Sequence, residues 1–310
     1  MKDESIKHIK QQSKKLDKAF KKNFGLKGSV ELDNKLESQS KKNKKILDKE
    51  LEHYLVLFDD GLNLIIQIHE LCKSIQEKNK TGLSFVVLSS KLITLLIGIR
   101  KMIYSGLPDC IKNLQRPFIE TIDVFFACII NDKLNESFSS TNELYDNNDF
   151  YWKHFSKDKL PNEYKKLFDK LSITPEYIQF LIDRRKKQKS FLSESIHSSF
   201  SASFSNFIMT DLNFEFSESY WGKITSAYPM MLMDLIQDIY IFDQIFYKVL
   251  EQKINQNFGK IEISQLNPMY LHAHYKYEAL YNNNWESLYK AAESYPKFLN
   301  DVIEEIKKQS

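Results

Sequence analysis

A chain of 310 residues is long enough for two average domains or one large helical one, and its 42% hydrophobic and 27% charged content is that of an ordinary globular protein. This balance excludes a disordered, collagenous or disulfide-stapled chain. The net charge of +3 hides a division, because residues 1–50 carry fifteen Lys against eight Asp or Glu and the rest of the chain is therefore net acidic, at −4.

Eight Gly and seven Pro leave little turn chemistry for many short strands, while apolar residues recur at steps of three and four. The expected class is all-α, a multi-helix bundle. The first 45 residues read as a basic arm or helix, broken after Phe24 by Gly25 and Gly28. From Ile46 to Ile75, Leu47, Leu51, Tyr54, Leu55, Phe58, Leu62, Ile65, Ile68 and Cys72 form one apolar face, which predicts a long core helix. Helices over about 84–104 and 109–131 follow, separated by Gly106 and Pro108, the stop and start signals of an antiparallel pair.

Residues 132–162 are polar and punctuated and read as an insertion, with at most one short helix around Trp152. Further helices are expected at about 162–171, 175–189, through the Ser/Phe-rich stretch to about Thr210, and at 220–255. A brief extended piece is expected at Lys260–Ile263. The chain then closes in a C-terminal helical hairpin within 256–310, with helices at about 268–281 and 285–307 joined at Asn282-Asn283-Asn284. The bundle proper is expected to span 46–255.

Three cysteines, Cys72, Cys110 and Cys128, are widely spaced in apolar helical pattern and are read as small core residues. The longest stretch without a formal charge, Ser195–Thr210, holds six serines in sixteen residues, so no run of about 20 apolar residues stands out as a membrane span. The opening Met1-Lys2-Asp3-Glu4-Ser5 leads into no apolar signal run. A cytoplasmic protein without membrane contact is expected.

Four arginines against forty lysines focus attention on Arg100, Arg116, Arg184 and Arg185, because the planar guanidinium suits bidentate contacts that lysine cannot make. In the helix ending at Asn131, Asp109, Arg116, Glu120 and Asp123 share one face, with Arg116 and Glu120 spaced to pair. That face is either solvated or lines an interior cleft, and the residues alone leave both open. Pro117 removes one helical hydrogen bond there and predicts a kink. The run Arg184-Arg185-Lys186-Lys187 is a candidate nucleic-acid contact, against the plainer reading of a solvated helix face. His197, soon after it and flanked by serines, is a candidate general acid or base for metal-independent RNA cleavage, against a hydrogen-bonded structural role.

Other constellations are weaker. Asp59-Asp60 lacks the third acid of a diphosphate motif, and Asp234 with Asp238 is read equally well as a solvated stripe. His272 and His274 point about 200° apart on a helix and Glu278 does not complete a ligand set, so no metal site is expected. Neither Gly-rich phosphate fingerprint is present, and no nucleotide or other cofactor is expected.

The stretch Ile99–Thr121, a helix followed by Gly-Leu-Pro and a second helix carrying Arg116-Pro-Phe-Ile-Glu120, resembles bacterial all-helical proteins of unknown function that are themselves similar to the HEPN superfamily. The resemblance covers about residues 84–210 and includes Ser195-Ile196-His197-Ser198-Ser199. It implies a HEPN-like core, dimer formation, and membership of a phage-defence or toxin–antitoxin system. Carried over by position, it sets Arg116, Glu120 and His197 at the polar centre of the bundle. The departure is that HEPN nucleases carry His four to six residues after Arg, and none of the four arginines here does. Two readings follow: a non-catalytic or partner-regulated helical protein that binds a protein partner or a second copy of itself, or a metal-independent endoribonuclease acting on RNA through His197 and Arg116, with Glu120 orienting the arginine.

Overall fold

The computed structural model describes residues 2–25, 32–79, 83–140, 159–196, 222–253 and 267–309. Among these it is all-α. The helices are α1 (Lys2–Phe24), α2 (Leu32–Ile46), α3 (Glu52–Asn79), α4 (Leu83–Ser105), α5 (Pro108–Ile130), α6 (Asp132–Ser140), α7 (Lys159–Lys170), α8 (Pro175–Ile196), α9 (Tyr228–Glu251) and α10 (Pro268–Gln309). A π-helical turn, Leu47–Leu51, joins α2 to α3 without a break. Its wider turn keeps Leu47 and Leu51 on one side, and both are fully buried.

The core is a ring of four helices. Helix α4 packs between α3 and α5, while α9 closes the ring against α3 and α5. At the centre Phe125 of α5 meets Phe85 of α4 and Phe242 and Phe246 of α9 edge to face, with ring centroids 5.2, 5.2 and 5.8 Å apart. Such pairs add about 0.5–1.5 kcal/mol each beyond the area they bury. The apolar face read from α5 is the one buried, with Ile111, Phe118, Ile122, Phe125 and Ile129 all in the core.

Helix α10 lies against α3 and α9, tied by the Tyr54 hydroxyl donating to the Leu288 carbonyl and Tyr277 donating to the Ile236 carbonyl, each at 3.0 Å. It is one continuous helix, which corrects the expected C-terminal hairpin. Asn282, Asn283 and Asn284 all face solvent, and the helix continues through them. Tyr281 stacks on Tyr240 of α9 at 3.7 Å and on Trp285 one turn further at 4.7 Å. The 132–162 segment is likewise not all loop, since α6 and the start of α7 occupy its ends. The piece around Trp152, the Ser/Phe-rich stretch after Ile196, the expected helix start at Tyr220 and the Lys260–Ile263 piece lie outside the described residues.

A junction locks α2, the α4–α5 turn and the entry to α9 together. Gly106 and Gly222 both have positive φ, +72° and +87°, and the Lys223 amide donates to the Gly106 carbonyl at 2.8 Å. A β-carbon on Gly222 would stand 2.1 Å from the Ser105 carbonyl oxygen, so only glycine fits. Buried Asn43 of α2 donates to the Gly222 carbonyl at 3.4 Å.

Two further expectations are corrected. Cys72 and Cys128 are buried, but Cys110, in the first turn of α5, is exposed. By length and composition α4 is apolar enough to cross a membrane, although Lys91 and Arg100 interrupt its apolar run in the sequence. In the fold its Phe85, Leu88, Leu92, Leu96, Ile99 and Ile103 are buried in the bundle.

Candidate functional site

The polar face of α5 is not a solvated stripe. Helix α8 covers it, and the two helices meet α9 in a cluster of charges. Arg185 of α8 reaches Asp123 of α5 through Nε at 3.0 Å, and Lys189, one turn on, reaches the other carboxylate oxygen at 2.7 Å. On the opposite side Arg184 sets Nη1 3.2 Å from Asp234 Oδ1 and donates from Nη2 to Asp238 Oδ1 at 3.2 Å and to the Asp234 carbonyl at 3.1 Å. Gln188 links the two halves, accepting from Arg185 Nη1 at 3.1 Å and donating to Asp238 Oδ2 at 2.8 Å.

Three cations thus face three carboxylates in a neutral set. Asp123 and Asp238 are sealed, their side chains only 1% and 2% exposed, while Arg184 and Arg185 are 15% and 17% exposed. Two unpaired carboxylates at such depth would cost several kcal/mol each, so the arginines are what allow α5 and α9 to bury them. The Asp234 carboxyl is pushed above the usual carboxylate range by burial, which Arg184 only partly offsets.

Arg116 and Glu120 pair as the spacing predicts, Nε to Oε1 at 3.1 Å, and Arg116 Nη1 also donates to Ser193 of α8 at 2.9 Å. Both residues of the pair are about three-quarters buried. Arg184 and Arg185 turn their guanidiniums into the charge cluster, whereas Lys186 and Lys187 are exposed. His197 lies outside the described residues, so the structure brings Arg116 and Glu120 together without placing the third member of the set.

Sequence reasoning named Asp123 on the Arg116 face and Asp238 in a solvated stripe but not their burial; both are among the buried residues of α5 and α9, where a charge without a partner is not tolerated. A third buried acid, which it did not single out, is Asp243, fully buried and bonded at 2.7 Å to Nδ1 of His274 on α10, with Tyr270 donating to its other oxygen at 3.4 Å. Tyr247 stacks on the His274 ring at 4.1 Å. Burial raises the Asp243 carboxyl above its ordinary range against the lowering effect of His274. Asp243, His274 and Tyr270 are closed to solvent and act as a polar clasp between α9 and α10. Asp59 and Asp60 are likewise engaged: Arg100 grips Asp59 bidentately at 2.7 and 2.8 Å, and Lys276 pairs with Asp60.

Among the described residues, no group of three or more His, Cys, Asp or Glu is placed to hold a metal ion. No protein-family model, no curated protein and no solved structure matches the chain.

Proposed function

We propose that this chain is a non-catalytic or partner-regulated helical protein whose polar centre fixes helix packing. The observation that carries the reading is the engagement of the arginines. Arg184, Arg185 and Lys189 neutralise buried carboxylates, and Arg116 is held by Glu120 and Ser193. A guanidinium that stabilises phosphate charge must be free to meet it. Its role as a HEPN-like component of a bacterial phage-defence or toxin–antitoxin system rests on the resemblance of residues 84–210, and its partner is a protein or a second copy.

The endoribonuclease reading draws on one observation, the bond from Arg116 to Ser193, since Ser193 stands four residues before His197 in the chain. The two readings separate on incubation of the purified protein with mixed cellular RNA in the presence of a chelator. The proposal predicts intact RNA. Cleavage that disappears in folded His197→Ala and Arg116→Ala variants would overturn it in favour of the nuclease.

A further inference from the structure

The bundle leaves the first helix, α1, uncovered. From Lys7 to Asn23 every described side chain is exposed except that of Asp17. Ile9 and Leu16, at 64% and 71%, are the most open large apolar residues among those described. At about 100° per residue, Ile6, Ile9, Ser13, Leu16, Phe20 and Phe24 share an arc of about 80°, while the seven lysines from Lys7 to Lys22 share a separate arc of about 140° on the far side. In all, α1 carries eight Lys against three acids.

The pairing of these two arcs selects the occupant. An amphipathic helix takes most of its stability from packing of its apolar face, and the fold leaves Ile9 and Leu16 open. A nucleic acid would meet the lysines and leave the stripe in water, and the lysine arc holds no Arg and no aromatic residue on which a base could stack. A groove on a protein would take the stripe and make no use of seven lysines behind it. A layer of anionic lipid meets both: acyl chains receive the apolar stripe while the polar face stays among the headgroups. The helix is about 10–12 Å across, comparable with the Debye length of about 8–10 Å, so the lysines remain within the field of the surface that the stripe enters.

We infer that α1 lies in the surface of an anionic phospholipid layer, held by its apolar stripe and by the charge of its lysines. The expectation of no membrane contact rests on the lack of a span and of a leader, and a helix lying in the surface uses neither. Residues 51–310 are net acidic, so the attraction belongs to the basic arm alone. The inference goes beyond the proposed function and does not depend on it.

Flotation of the full chain with vesicles of phosphatidylcholine alone, and of phosphatidylcholine mixed with phosphatidylglycerol, tests the inference. Binding is expected to the mixed vesicles only and to weaken as salt is raised. Leu16→Ala is expected to lower the partition constant about ten-fold, and Lys10→Ala with Lys21→Ala about twenty- to thirty-fold, at about five-fold for each lysine near the surface. All three residues are exposed, so these variants are expected to melt as the wild type does, which separates lost binding from lost folding. Hydrogen exchange with the mixed vesicles locates the contact: the amides of α1 gain protection and those of α3 and α4 do not change. No binding to the mixed vesicles, binding indifferent to these substitutions, or protection gained in the bundle and not in α1 overturns the inference. Binding of polyglutamate or of a mixed-sequence RNA strand at least as tight as that of the mixed vesicles also overturns it, in favour of a protein or a nucleic acid.

Discussion

Burial decides which side chains of this protein are chemically available. The Cys72 and Cys128 thiols are both pushed up to about 12 by loss of solvent, while Cys110 stands at the surface. Because the thiolate is the reactive form, a thiol reagent at pH 8 is expected to label Cys110 alone in the folded chain and all three cysteines in urea, counted by mass spectrometry. Asp243 shows the same force acting on a carboxylate. Its folded-state value is raised, so the folded chain holds this proton to higher pH than the unfolded chain does. The stabilisation from that proton is complete below the ordinary carboxylate value of about 3.9 and is lost as pH rises through the raised value. Urea unfolding of wild type and Asp243→Asn should therefore show the wild type losing stability relative to the variant as pH rises from the acid end toward neutral. A wild type that gains stability relative to the variant over that range would contradict the assignment.

At the scale of elements, two devices hold helices in register. The first is the glycine junction. Gly222→Ala forces a β-carbon onto the Ser105 carbonyl and a side chain into left-handed backbone, at a cost of about 1–3 kcal/mol or more, measurable as a lower urea midpoint. The second is the docking of α8. In Asp238→Asn the carboxylate facing Arg184, Arg185 and Gln188 is gone, and hydrogen exchange is expected to rise in the amides of α8 while α3 and α4 keep their protection. Uniform loss of protection across the bundle would mean that α8 is not a separately held element.

For the whole molecule, the helices that build the core were legible because each buries a continuous stripe. The three- and four-residue steps through Leu51, Phe58, Ile65 and Cys72, and the Gly106 and Pro108 boundary, are local signals, and the fold respects them. What was not legible is tertiary. The basic run of α8 looks like a solvated face because its partners, Asp123, Asp234 and Asp238, lie about 50 to 66 positions away, and spacing carries no information over that distance. The asparagines at 282–284 looked like a break because Asn favours turns, yet α10 continues through them, with Tyr281 stacked on Tyr240 of α9.

The charges between α5, α8 and α9 pair with one another across the three helices, and the packing of the bundle rests on that pairing. The most direct measurement is equilibrium urea unfolding of Asp123→Ala beside the wild type. Removing this carboxylate leaves Arg185 and Lys189 without their partner at the α5–α8 contact, and the predicted loss is about 3–5 kcal/mol. A variant within about 0.5 kcal/mol of the wild type, the usual effect of a surface substitution, would show that the cluster does not carry the packing.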